Sequence, residues 1–349
     1  MRIAVRMRPF CSIIPPHMLQ EIAQKGTSSE RASAWRTLTF SEQLRGGRSV
    51  LTLLSSRSVV SAGGKRRTIY DAKNQRRLPG KLVRGESEPK SKDVAVNEAY
   101  LGAGATYDFF KKVFGRNSLD DKGMRLDGSV HYGRDYDNAF WNGRQMVYGD
   151  GDGDLFQRFT QSLDVIGHEL THGVVQFEAN LIYEGQAGAL NESFADVFGS
   201  LVKQHSRREK VGEADWLIGR ELFQHPTKGK ALRSLKNPGT AYEDPVLGKD
   251  PQPAHMKNFV STDEDNGGVH INSGIPNKAF YETAMRLGGY AWEKAGRIWY
   301  ATLKDKLSRD ATFQETARAT FIVAGELFGM KSKEREAVRE GWKAVGIKP

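Results

Sequence analysis

The run His168-Glu169-Leu170-Thr171-His172 sets two imidazoles four residues apart, with a carboxylate beside the first. On a helix, positions i and i+4 share a face, so both rings can reach one metal ion while Glu169 projects to its side. A carboxylate placed there can take a proton from water that the metal has acidified. Further along, Asn191-Glu192-Ser193-Phe194-Ala195-Asp196 repeats the spacing with acids, Glu192 and Asp196 again being i and i+4. One of the two can complete a His-His-carboxylate tripod that leaves the fourth position of a zinc ion open. The other can accept the outer N–H of a ligating imidazole and fix its tautomer. A closed structural site needs a fourth protein ligand, which this segment does not offer. The pattern predicts catalytic zinc.

Two helices must carry these groups, one bearing the HELTH run and one that begins at the NESFAD run, with Gly185 and Gly188 expected in the connection. Upstream, residues 93–115 show apolar residues at helical spacing, ended by Gly115. Residues 124–149 alternate as strands, with Asn142-Gly143 as the turn. After residue 276 four helices are expected, broken near Gly288-Gly289, Ser308-Arg309 and Gly329. The fold class is therefore α+β, a β-rich first lobe followed by an α-rich second lobe. The acidic run at 149–156 is tested as a calcium loop and fails. Counting from Asp150, Leu155 stands where the sharp turn needs glycine and Gln161 where a bidentate glutamate is needed. A tight acidic turn is the better reading.

The chain has 349 residues, 38% hydrophobic and 27% charged, enough for one large domain or two lobes and too apolar for a disordered chain. No stretch approaches the ~20 apolar residues of a membrane helix. The net charge of +10 is uneven: residues 1–100 hold 19 Lys and Arg against 8 Asp and Glu, and the remainder is close to neutral. The basic excess thus belongs to the leader, and a solvated processing segment accounts for it better than a nucleic-acid or membrane surface. The single cysteine, Cys11, rules out an intrachain disulfide.

HELTH followed by NESFAD at this distance, together with Asp265-Asn266-Gly267-Gly268-Val269-His270-Ile271-Asn272-Ser273-Gly274, resembles the thermolysin-like family of zinc metallopeptidases over residues 95–349. The resemblance implies a two-lobed zincin around a central HExxH helix. It implies His168, His172 and Glu192 as zinc ligands, and Glu169 as general base and acid. His270 and Tyr183 would stabilise the oxyanion. Asp265 would orient His270, and Asp196 would partner His168. Asn138 and Ala139 match the strand edge that holds a substrate backbone, and Arg233 the arginine that binds a substrate carbonyl. Phe156, Val165, Ile218 and Leu232 would line an apolar pocket on the leaving-group side. That pocket predicts peptide cleavage on the N-terminal side of bulky apolar residues. At the family's paired-calcium site Asp164 and Asp215 remain, whereas the matching positions hold Lys203, Leu217 and Arg220. The expectation is that Lys203 and Arg220 replace the ion's charge and that no calcium binds there.

Pro15-Pro16 and the short leader resemble the protealysin-like branch, which implies a propeptide acting as an intramolecular inhibitor. The division expected is a propeptide at 1–50, a basic processing junction at 51–92, a β-rich catalytic lobe at 93–178 and a helical lobe at 179–349. Self-cleavage is expected between about residues 45 and 65, where SVLTLL offers bulky apolar residues. A proline pair holds a chain extended, and Cys11 lies just before it. Its thiolate could therefore fill the open zinc position, steric blockade being the alternative. The start of the chain shows no apolar core of a secretory signal, while the family acts outside the cell. Extracellular action by another route is expected, a cytoplasmic site being the alternative. Substrates would be peptides and proteins, and the enzyme a monomer. A catalytically silent zinc-binding protein is the competing class, opposed by the joint presence of Glu169, Tyr183 and His270.

Overall fold

The computed structural model describes residues 11–51, 64–224 and 231–349, the stretch 44–51 by its backbone alone. Along the first lobe run β1 (Cys11–Ser12), α1 (Pro16–Lys25), α2 (Ser28–Leu51), β2 (Arg67–Asp71), β3 (Lys81–Arg84), α3 (Val94–Phe114), β4 (Leu126–Val130), β5 (Ala139–Trp141), β6 (Met146–Tyr148) and α4 (Leu163–Phe177). The second lobe holds α5 (Gly185–Arg207) and the two-residue strands β7 (Leu217–Ile218), β8 (Arg233–Ser234), β9 (Glu243–Asp244) and β10 (Gly248–Lys249). It continues through α6 (Asp265–Asn272), α7 (Gly274–Leu287), α8 (Ala295–Asp305), α9 (Phe313–Phe328) and α10 (Lys333–Ala344). This is the two-lobed α+β architecture expected from the sequence. Most of the expected cleavage region, including the end of SVLTLL, lies outside the described residues.

Six strands form one sheet in the order β1-β5-β6-β4-β2-β3. β4 pairs parallel with β2 and with β6, and the other neighbours are antiparallel. Residues 67–84, read from composition as part of a junction, thus contribute two strands to the sheet. The leader contributes its edge. Cys11 lies opposite Trp141 and Ser12 opposite Phe140. α3 starts where Asp93 accepts from the N–H groups of Ala95 and Val96, and stops at Gly115 in the left-handed region (φ 74°). The acidic run is a tight turn: Asp152 Oδ1 accepts from the backbone N–H of Asp154, Leu155 and Phe156.

α4 and α5 cross closely because both are stripped to backbone at the contact. A Cβ on Gly199 would stand 2.5 Å from the Asp164 carbonyl, and one on Gly167 would stand 3.1 Å from Gly199 Cα. That approach lets side chains one turn away on both helices meet. Gly185 and Gly188 lie in the first turn of α5, not in a connection before it. Gly188 reads as a helix breaker by propensity, but a side chain there would strike Val269 and the Tyr183 backbone, so packing overrides propensity. Buried Arg116, after α3, ties the lobes together through Glu178 at the end of α4 and Tyr300 on α8. Among the described residues no helix is long and apolar enough to cross a membrane.

Candidate metal centre and active site

α4 presents His168, Glu169 and His172, and α5 presents Glu192 and Asp196; all five are buried. The two Nε2 atoms lie 3.0 Å apart. Each also stands 3.5 Å from a Glu192 oxygen, His168 from Oε2 and His172 from Oε1. Zinc bonded at ~2.0–2.1 Å in tetrahedral geometry spaces its ligand atoms about 3.3 Å apart, so this triangle is sized for zinc. Glu192 Oε2 is buried without a hydrogen-bond partner, as a ligand atom would be. Burial lowers the His172 imidazole to about 4, which keeps it neutral and able to donate a lone pair. Burial opposes ionisation of Glu192, yet His270, His172 and His168 hold its carboxyl below the usual range.

The outer nitrogens are held as well. His172 Nδ1 lies 2.8 Å from Asn191 Oδ1. His168 Nδ1 lies 2.8 Å from Asp196 Oδ1, without the alignment of a formed hydrogen bond. Asp196 is committed chiefly to Arg233, whose Nε and Nη2 donate to it at 2.8 and 2.9 Å, and it also accepts from Asn277. Burial opposes this charge too, but Arg233 keeps the carboxyl well below its ordinary range. Glu169 Oε2 accepts from the Trp141 backbone N–H at 2.8 Å, leaving Oε1 buried and unpartnered. Burial and then the Glu192 charge push the Glu169 carboxyl well above its usual range. A dication held beside it would pull it back.

Opposite the triangle, Tyr183 Oη donates to Glu192 Oε1 and lies 3.2 Å from His270 Nε2. His270 is aimed by a run of four left-handed residues, Asp265 to Gly268, that fold the Asp265 carboxylate back onto it. Oδ2 accepts from the His270 backbone N–H at 2.8 Å, and Oδ1 lies 2.6 Å from the ring Nδ1. Burial works against a charged ring, but Asp265 and Glu192 raise its pKa, which favours the form that carries Nε2–H.

That donor lies 3.1 Å from the carbonyl of Ser12. The leader therefore runs through the site as an extended strand. The Ile13 N–H donates to the Ala139 carbonyl at 3.1 Å, and the Ile13 carbonyl accepts from Arg233 Nη1 at 3.0 Å. The Ile14 N–H donates to Asn138 Oδ1 at 2.9 Å. Ile13 is fully buried, as are Val165, Ile218, Leu232 and Phe156. The residues expected to hold the metal, to act as base, to meet the oxyanion and to hold a substrate backbone are thus brought together around the leader.

Sequence reasoning missed Asn191, Asn277 and the Trp141 amide. Asn191 alone left a signal, as the polar neighbour of Glu192 on α5. At the calcium-like position, Lys203 Nζ donates to Asp164 Oδ2 at 2.7 Å and the Leu217 carbonyl at 2.8 Å, and pairs with Asp215 at 3.0 Å. Arg220 also pairs with Asp215, but at 3.9 Å and 60% exposed, so Lys203 makes the closer and more buried contacts.

Residues 42–176 match the profile of the thermolysin metallopeptidase catalytic domain, and residues 179–347 that of its alpha-helical domain. The chain is 52% identical over 344 residues to an extracellular metalloprotease of Pectobacterium carotovorum subsp. carotovorum, covering 98% of each. It is 53% identical over 345 residues to protease PrtS of Photorhabdus sp. (strain Az29), covering 97% of this chain and 92% of that one. The solved precursor of protealysin, a metalloproteinase from Serratia proteamaculans, superposes with a TM-score of 0.89 at 54% identity, covering 97% of this chain and 99% of that one. With both of its domains accounted for in this way, the chain belongs to the thermolysin family of zinc metallopeptidases.

Proposed function

We propose that the chain is the inactive precursor of a zinc endopeptidase, its leader lying in the substrate groove as a substrate would and being removed by self-cleavage. The observation that carries this reading is the course of residues 11–14: paired antiparallel to β5, with the Ser12 carbonyl on His270 and the Ile13 carbonyl on Arg233. A peptide in that register sets its scissile carbonyl beside His270, and the side chain of the next residue, here Ile13, is fully buried. This supports cleavage before bulky apolar residues.

Zinc held by His168, His172 and Glu192 supplies Lewis acidity, polarising the carbonyl and acidifying water. Glu169 Oε1 takes the proton of the attacking water and returns it to the leaving nitrogen, while the Trp141 amide fixes the other oxygen. Tyr183 and His270, held by Asp265, meet the oxyanion as it forms. Asn138 and Ala139 hold the substrate backbone. Asp196 fixes Arg233 and lies beside His168.

The Lys203 bridge supports a site that needs no calcium. A relative named an extracellular metalloprotease supports action outside the cell; the substrates proposed are peptides and proteins, and the enzyme a monomer. Casein digestion by the purified chain, with Glu169→Ala beside it, tests the reading. Activity and a trimmed N-terminus are expected from the first, and a full-length inert chain from the second. Equal trimming in both would assign processing to another protease.

A further inference from the structure

We propose that in the uncut chain Cys11 Sγ is the fourth ligand of the metal held by His168, His172 and Glu192. The leader then silences the site by coordination as well as by occupancy. This deepens the zinc reading above and rests on it. β1 pairing sets Cys11 opposite Trp141, the residue whose amide holds Glu169. Cys11 is 1% exposed, and its sulfur, a His172 ring nitrogen and a Glu192 oxygen all lie within 4.8 Å of one another. In a tetrahedral zinc site with Zn–S ~2.3 Å, sulfur stands about 3.6 Å from its fellow ligand atoms, so towards His172 and Glu192 Sγ needs to close by no more than roughly an ångström. Independently of the cysteine, Glu192 Oε2 is fully buried and unpartnered at the same centre.

The register gives the thiol its task. With the Ser12 carbonyl on His270 and the Ile13 carbonyl on Arg233, the Ser12–Ile13 peptide bond lies as a bond to be cut. A leader that merely filled the groove this way would be a substrate. A sulfur in the fourth position takes the room that the attacking water needs beside Glu169. Binding is a simple exchange: the sulfur–metal bond forms as the S–H proton leaves to solvent, and release of the leader returns the proton. No oxidant is required.

The test uses the full chain carrying Glu169→Ala, so that it stays uncut, loaded with cobalt(II) in place of zinc. The expected spectrum has visible d–d bands together with a near-ultraviolet thiolate-to-cobalt charge-transfer band. Because Cys11 is the sole cysteine, that band needs no mutant to be assigned. Cys11→Ser on the same background should lose the band, keep the visible ones, and give up zinc to a chromophoric chelator faster by at least about tenfold. Visible bands without charge transfer in the parent chain, or equal zinc-release rates, overturn the Cys11 assignment and leave the three-ligand site standing. Absence of visible bands in both chains overturns the metal reading and this inference with it.

Discussion

Replacing Lys203 by methionine should destabilise the chain about as much as any single surface-neutral change can. The ammonium is buried, at 1% side-chain exposure, against Asp164 at 0% and Asp215 at 22%. Burial works against its charge, but the two aspartates raise its pKa above the ordinary lysine value, so the ion pair is the formed state at neutral pH. Removing one partner of a buried pair costs about 3–5 kcal/mol, because the other charge stays buried. Asp164 would keep the Ser162 hydroxyl at 2.7 Å and the Gly219 amide at 3.2 Å, and Asp215 can turn to water, which argues for the lower end, about 3 kcal/mol. At roughly 2 °C per kcal/mol for a chain of this size, Tm should fall by about 6 °C. Thermal unfolding followed by circular dichroism, on a Glu169→Ala background to prevent autolysis, measures this in calcium and in EGTA. The parent chain should melt at one temperature in both. A strong rise of the parent Tm with calcium, or a Lys203→Met loss below about 1 kcal/mol, would refute the claim that the lysine does the ion's work.

Glu169→Ala should keep its zinc and its fold and lose at least about 100-fold in turnover, whereas His172→Ala should lose the metal itself; metal analysis after dialysis against a mild chelator separates the two. His131, bound by Asp150 and Asp93, has its pKa raised to about 9 by those carboxylates against the opposing effect of burial. Its contribution to stability is therefore complete below about 6.5 and is lost as pH rises through 9, so the gap in urea midpoint between parent and His131→Gln should close between pH 6.5 and 9.5 or so. His17 on α1 is lowered by burial to about 4, though nearby Asp265 opposes the shift. Docking of the leader should hold above about pH 6.5 and weaken as pH falls towards 4, seen as faster clipping of the leader by an added protease at pH 5 in the parent than in His17→Gln.

The helix pair that builds the metal site was legible because an i,i+4 pattern states both which face a residue takes and which neighbour shares it. The end of α3 was legible because Gly115 is the residue a left-handed cap requires. The pairing of β1 was not: a strand of two residues carries no alternation, and what holds Ile13 and Ile14 is the side chains of Arg233 and Asn138, far along the chain. The start of α5 was misjudged because Gly188 answers to Val269, a contact that no local window contains. The Lys203 exchange could be noticed by position, but its third partner is the Leu217 carbonyl, and a backbone oxygen has no letter in the sequence.

The edge position of β1 has a consequence for what the mature enzyme can digest. Once the leader is gone, the Ala139 carbonyl of β5 loses the Ile13 N–H it accepts from, and the strand becomes a sheet edge open to strand addition by an extended chain. Such a grip reads backbone and is indifferent to most side chains, so whether a segment can be drawn out straight weighs on which chains are cut. A folded protein keeps its backbone groups committed to its own helices and sheets. The rate at which it is cut should then follow its local unfolding, with susceptible sites at frayed termini and loops before any preference of sequence is felt.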